Sequence, residues 1–175
     1  MLFVSLIKGI DWLADQTGKI FSTLIVFIIL TMSFEVVARY VFNNPTLWSY
    51  DLTYMLGGVL FLLTTPYVLL HHGDVRVDVF YHSYSPRQKR IVDLVLSPII
   101  LFPVLCVFVS QSWDFALRAL AMNEKAMGGI LEPSMVPFRF AIALGFSLLA
   151  LEGVAWFIRD LFFVLKGKEI GAEND

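Results

Sequence analysis

The sequence predicts an all-α integral membrane protein: four transmembrane helices plus an N-terminal amphipathic interfacial helix. Three observations carry this. First, 58% of the 175 residues are hydrophobic and only 16% are charged, whereas a soluble domain is about half apolar and a quarter charged. Second, the apolar residues fall into four blocks, each long enough to cross a hydrocarbon layer of about 30 Å at about 1.5 Å per residue. Third, the opening segment alternates apolar and polar residues with a helical period. The formal net charge of -2 says little about partners, because in a membrane chain charge matters loop by loop.

Met1 to Lys19 opens the chain. Leu2, Phe3, Leu6, Ile7, Ile10, Leu13 and Ala14 share one side of a helix, with Lys8, Asp11, Asp15 and Gln16 on the other. Such a helix lies in the membrane surface. It lacks a small-residue cleavage site and is read as retained rather than as a signal peptide. Spans are expected at about 20–42, 52–70, 91–109 and 138–158, followed by a polar tail at 159–175, all in one membrane domain. In the second span Gly57 and Gly58 permit close helix approach, and Pro66 kinks it. In the third, Pro98 and Pro103 predict a kink. The connection from Ser110 to Pro137 keeps helical spacing through Trp113, Ala116, Leu117 and Leu120, then breaks at Met127-Gly128-Gly129.

Four spans put both termini on one side. The ends and the 71–90 loop hold nine Lys and Arg: Lys8, Lys19, Arg76, Arg87, Lys89, Arg90, Arg159, Lys166 and Lys168. The opposite side holds Arg39, Arg118, Lys125 and Arg139. The bias predicts that both termini and the 71–90 loop are cytoplasmic.

Candidate functional residues are few. Glu35 and Arg39 stand i,i+4 in the first span with the acid first, the favourable order for a pair. Intramembrane charges mark either transport sites or structural pairs. Glu35 lies roughly 23 Å beyond the start of its span, near the outer face, while Asp93 and Glu152 fall in the inner half. No polar residue bridges the midplane, so the structural role is favoured. His71, His72, Asp74, Asp78 and His82 offer few ligands for a metal site, and a polar headgroup loop accounts for them better. Cys106 stands alone in an apolar block, which excludes a disulfide framework. No nucleophile triad, phosphate-binding glycine loop or basic aromatic stripe occurs, which excludes the usual signatures of hydrolases, nucleotide-binding proteins and nucleic-acid partners.

The pattern Glu35-x-x-x-Arg39-Tyr40-Val41-Phe42-Asn43-x-Pro45-x-x-Trp48-x-x-Asp51-Leu52 resembles the signature of the small membrane subunit of tripartite ATP-independent periplasmic (TRAP) transporters. Gly73-Asp74-Val75-Arg76-Val77-Asp78 is similar to that family's second motif. The resemblance covers essentially the whole chain. It departs at Ser49-Tyr50-Asp51, where glutamates are common in the family, and at Asp74, where a histidine often stands.

What the resemblance implies is a scaffold subunit, not an enzyme, with no cofactor or metal of its own. Sodium ions and the substrate, an organic acid or related small solute, are expected on a large membrane subunit. A periplasmic solute-binding protein would deliver the substrate. Glu35, Arg39, Pro45, Trp48, Asp51, Arg76, Asp78 and Glu152 are the expected structural and subunit-interface residues, with membrane lipids as the remaining partner. The alternative is a self-sufficient small membrane enzyme or metal-binding protein using the loop from His71 to His82.

Overall fold

The computed structural model describes residues 2–46, 48–71, 86–125 and 133–166. Helix α1 runs Leu2–Ser22 and α2 runs Leu24–Tyr40. They are followed by α3 (Trp48–Leu70), α4 (Pro86–Leu96), a π turn (Ser97–Leu101), α5 (Phe102–Met122) and α6 (Val136–Lys166). Among the described residues the only β feature is an isolated bridge between Lys125 and Ser134. Four stretches are long and apolar enough to cross a membrane: Ser5–Tyr40, Trp48–Leu70, Gln88–Met122 and Val136–Leu165.

The helices stand in a row. The substantial contacts run from α2 to α3, from α3 to α6, and from α6 to α5 and α4. In a closed bundle α2 and α5 would meet; here they are the two ends of the row. Helix α1 packs on α3 and reaches α6. Helix α6 is therefore the hub, touching every neighbour but α2 substantially.

Small residues make the hub tight. Ala143 and Ala155 of α6 and Ala116 and Ala119 of α5 are all fully buried, and small side chains let helix backbones approach. Aromatic pairs fix the register: Phe102 with Phe157, Phe108 with Phe146, and Trp113 with Phe140. Residue numbers rise on one helix as they fall on the other, so α5 and α6 are antiparallel. Trp113 Nε1 also donates to Ser147 Oγ at 3.0 Å.

Helices α3 and α6 run parallel, since Gly58 meets Phe138 and Leu62 meets Gly145. This second contact has a cause in the sequence. Pro66 is buried inside α3 and has no N–H, so the Leu62 carbonyl four residues earlier loses its helical donor. Gly145 lies against that carbonyl, where a Cβ would fall 2.9 Å from Leu62 Cβ and 3.1 Å from Leu62 O. Only glycine lets α6 come this close.

Local chemistry sets the helix ends. Asn43 and Asn123 adopt positive φ, 53° and 48°, and asparagine tolerates that left-handed conformation. Each ends a helix that runs toward the same side of the row, α2 and α5. Pro98 and Pro103 do not simply kink the third span. The chain widens into a π turn in which Phe102 N donates to Ser97 O. The Ser97 hydroxyl donates to Asp93 O at 2.7 Å.

Some helices run past the expected spans. Helix α3 starts at Trp48 rather than residue 52, and α6 runs on from 158 to Lys166. The third helical stretch reaches Met122, with Ser112, Ala116 and Ala119 buried along it. Helix α1 is interrupted from α2 only at Thr23 and lies antiparallel along the C-terminal part of α3, with Gly18 against Tyr67. Its apolar surface is split. Ile7, Ala14 and Gly18 are buried on the bundle, while Leu6, Leu13 and Ile20, seven residues apart, remain exposed. The buried stripe is tied to protein and the exposed stripe is free for lipid.

Candidate structural site: two charge layers

Charges sit near both ends of the helices and leave the middle apolar. Asp15 and Glu35, Asp51 and His71, and Arg139 and Arg159 are each separated by 20 positions, about 30 Å along a helix. That matches the thickness of the hydrocarbon layer.

One layer, where α2 ends and α3 begins, centres on Glu35, which is 5% exposed. Its Oε1 accepts from Arg39 Nη2 at 2.6 Å and Nε at 3.0 Å. Its Oε2 accepts from the Thr46 backbone N–H at 2.9 Å and from the Thr46 hydroxyl. Thr46 lies at the entrance to α3, where backbone N–H groups lack helical partners. A single carboxylate thus pairs with its own helix and closes the start of the next. The turn is completed by Asn44 N to Ala38 O at 3.0 Å and by Trp48 stacking on Phe34 at 6.1 Å. Pro45 is exposed in this turn. Ser49 is buried, its hydroxyl donating to Thr46 O at 3.4 Å.

Arg39 is a different kind of partner: its side chain is 54% exposed. The pair is one buried anion held by a cation that reaches out to solvent or headgroups. Asp51 lies in the first turn of α3, where a negative charge favours the helix N-terminus. Its Oδ2 is buried without a hydrogen bond. Across the row, Arg139 pairs with Glu124 and stacks over Phe115 at 5.3 Å, joining the C-terminal end of α5 to the N-terminal end of α6.

The other layer is built on the C-terminal half of α6. Phe138, Gly145, Glu152 and Arg159 recur every seven residues, forming one stripe. The first two meet α3, and the last reaches α1. Glu152 is 0% exposed. Arg159 Nη1 donates to its Oε1 at 3.2 Å, while Arg159 Nη2 donates to Asp11 Oδ1. One guanidinium therefore ties α1 to α6 and partners a buried acid. Glu152 Oε2 has no hydrogen bond. A second link, Arg90 to Asp160 at 2.6 Å, fastens α4 to α6, with Arg90 over Phe163.

Sequence reasoning singled out Glu35, Arg39 and Glu152 but not the groups that complete their geometry. Thr46, Asp11, Arg159, Asp160 and Gly145 were not among the expected residues. The seven-residue stripe on α6 was available as a signal. Arg76 and Asp78, with His72, Asp74 and His82, lie outside the described residues. Of that loop only His71 is described. Its Nδ1 meets Tyr67 O at 3.0 Å, and its Nε2 lies 4.0 Å from Asp15 Oδ1. Among the described residues no group of three or more His, Cys, Asp or Glu is placed to hold a metal ion.

No curated protein matches the chain. The family model for the DctQ component of tripartite ATP-independent periplasmic transporters matches residues 28–163. That range begins in α2, takes in the whole turn between α2 and α3, and ends near the close of α6, three residues past Asp160. Four apolar helices, a carboxylate-closed turn after the first span, and this match over most of the length lead to one conclusion: the chain belongs to the DctQ family, the small membrane component of TRAP transporters.

Proposed function

We propose that this chain is the fixed, non-catalytic scaffold of a sodium-coupled TRAP-type uptake system for an organic acid or related small solute. It docks on the large transport subunit and stabilises it. That subunit carries the substrate and sodium sites, and a periplasmic binding protein delivers the solute. The chain itself uses no cofactor or metal.

The observation that carries this reading is how the charges are used. A carrier needs polar groups that are free to take a solute near mid-depth. Here Glu35, Glu152, Asp11, Asp15, Asp160, Arg90, Arg139 and Arg159 all bond to groups of the same chain. They sit in two layers, and the links join α2 to α3, α1 to α6, α4 to α6 and α5 to α6. Charges spent on joining neighbouring helices support rigidity. The open row supports docking, since a single layer of helices has two broad faces to cover with lipid or protein.

On this reading Glu35, Arg39, Pro45, Trp48 and Asp51 shape the outer corner of the scaffold, and Arg76, Asp78 and Glu152 belong to its inner side. Both termini face the cytoplasm of a bacterial inner membrane. The test is co-expression with the large membrane subunit. The two should purify as a complex, and the large subunit should lose stability or transport when this chain is withheld. A large subunit that is equally stable and active without it would overturn the scaffold role.

A further inference from the structure

Where α1, α3 and α6 meet, one contact between titratable groups is incomplete. The Tyr67 carbonyl oxygen can only accept, so His71 Nδ1, 3.0 Å away, is the nitrogen that carries hydrogen. In the neutral ring Nε2 then holds a lone pair. It faces Asp15 Oδ1 at 4.0 Å, a contact between two acceptors. The other oxygen of Asp15 already takes Lys19 Nζ at 2.6 Å. We propose that His71 and Asp15 form a proton-operated latch that fastens α1 to α3 when Nε2 is protonated.

The surroundings favour such a device. Among the described residues, the groups around His71 are Asp11, Asp15 and Lys19 from α1, Tyr67 from α3, and Glu152 and Arg159 from α6. Arg159 is already shared between Asp11 and Glu152. Among these described groups three carboxyls stand against two permanent cations, so a proton on His71 supplies a third positive charge. The ring is held in place, stacked on Tyr67 at 4.2 Å. Tyr67 in turn packs on Gly18, where no Cβ would fit. The His71 side chain is 50% exposed, which leaves a path for protons from the aqueous side. A proton there converts the contact between acceptors into a charge-assisted hydrogen bond once the gap closes by about 1 Å.

The readout is amide hydrogen exchange of residues 5–20 in the full chain, in lipid nanodiscs at pH 6 and pH 8, corrected for intrinsic exchange rates. Protection of this helix should be about two- to fivefold greater at pH 6. In His71→Gln and in Asp15→Asn the ratio should fall to one. His71→Lys, a permanent cation, should hold α1 equally at both pH values. A wild-type ratio of one, or a ratio that survives in either neutral variant, overturns the latch.

Discussion

Gly145 offers the sharpest test of the packing. Replacing it with alanine adds one carbon, which would lie 2.9 Å from Leu62 Cβ, 3.1 Å from Leu62 C and 3.1 Å from Leu62 O. Two of those atoms are backbone and cannot swing aside. Overpacking of this kind costs about 1–3 kcal/mol. The gain in helix propensity from Gly to Ala recovers at most about 1 kcal/mol. A Cβ added at Gly57, on the neighbouring helix, would meet nothing within 4 Å, so Gly57→Ala keeps the propensity gain alone. The two variants should therefore differ by about 1–3 kcal/mol in opposite directions. With about 2–4 °C per kcal/mol for a chain of this size, their melting temperatures should separate by about 2–12 °C. Intrinsic tryptophan fluorescence on heating in detergent measures this directly. If Gly145→Ala melts at or above Gly57→Ala, the close approach of α6 to the freed Leu62 carbonyl is wrong.

Three further outcomes follow from the charge layers. Glu35→Ala should lower the melting temperature more than Arg39→Gln, because it strips the Thr46 N–H and hydroxyl of their acceptor, whereas Arg39→Gln leaves the carboxylate both Thr46 donors and removes a half-exposed cation; equal losses in thermal melts would contradict this asymmetry. Exchanging the two residues, Glu35→Arg with Arg39→Glu, should recover little stability, since the Thr46 N–H would lose its acceptor; near-complete recovery would mean that the pair alone matters. Arg159→Gln should loosen α1, leaving Asp11 and buried Glu152 without their cation, and adding Glu152→Gln should restore part of the lost hydrogen-exchange protection; no restoration would remove Glu152 from the network.

The architecture was legible where the sequence carries a period or a breaker. Four apolar blocks gave four long helices, and the i,i+4 spacing of Glu35 and Arg39 gave their pair. Partners distant in sequence were not legible. Glu35 to Thr46 depends on the path of a turn, and Asp11 to Arg159 joins residues 148 positions apart. The order of helices in the row was also hidden, because apolar helices look alike in hydropathy whichever neighbour they have. Pro66 announced a bend, but not that the carbonyl it frees would meet Gly145. Helix α1 was read from its polar side as a surface helix; its split apolar surface, with Ile7, Ala14 and Gly18 on the bundle and Leu6, Leu13 and Ile20 outside, requires the tertiary contacts to see.

The scaffold account rests most directly on whether this chain can move solute by itself. Purified alone into sodium-loaded and sodium-free liposomes, it should give no uptake of candidate organic acids, with or without a sodium gradient. Uptake should require the large membrane subunit and the binding protein. Solute accumulation driven by this chain alone would contradict the account at its centre.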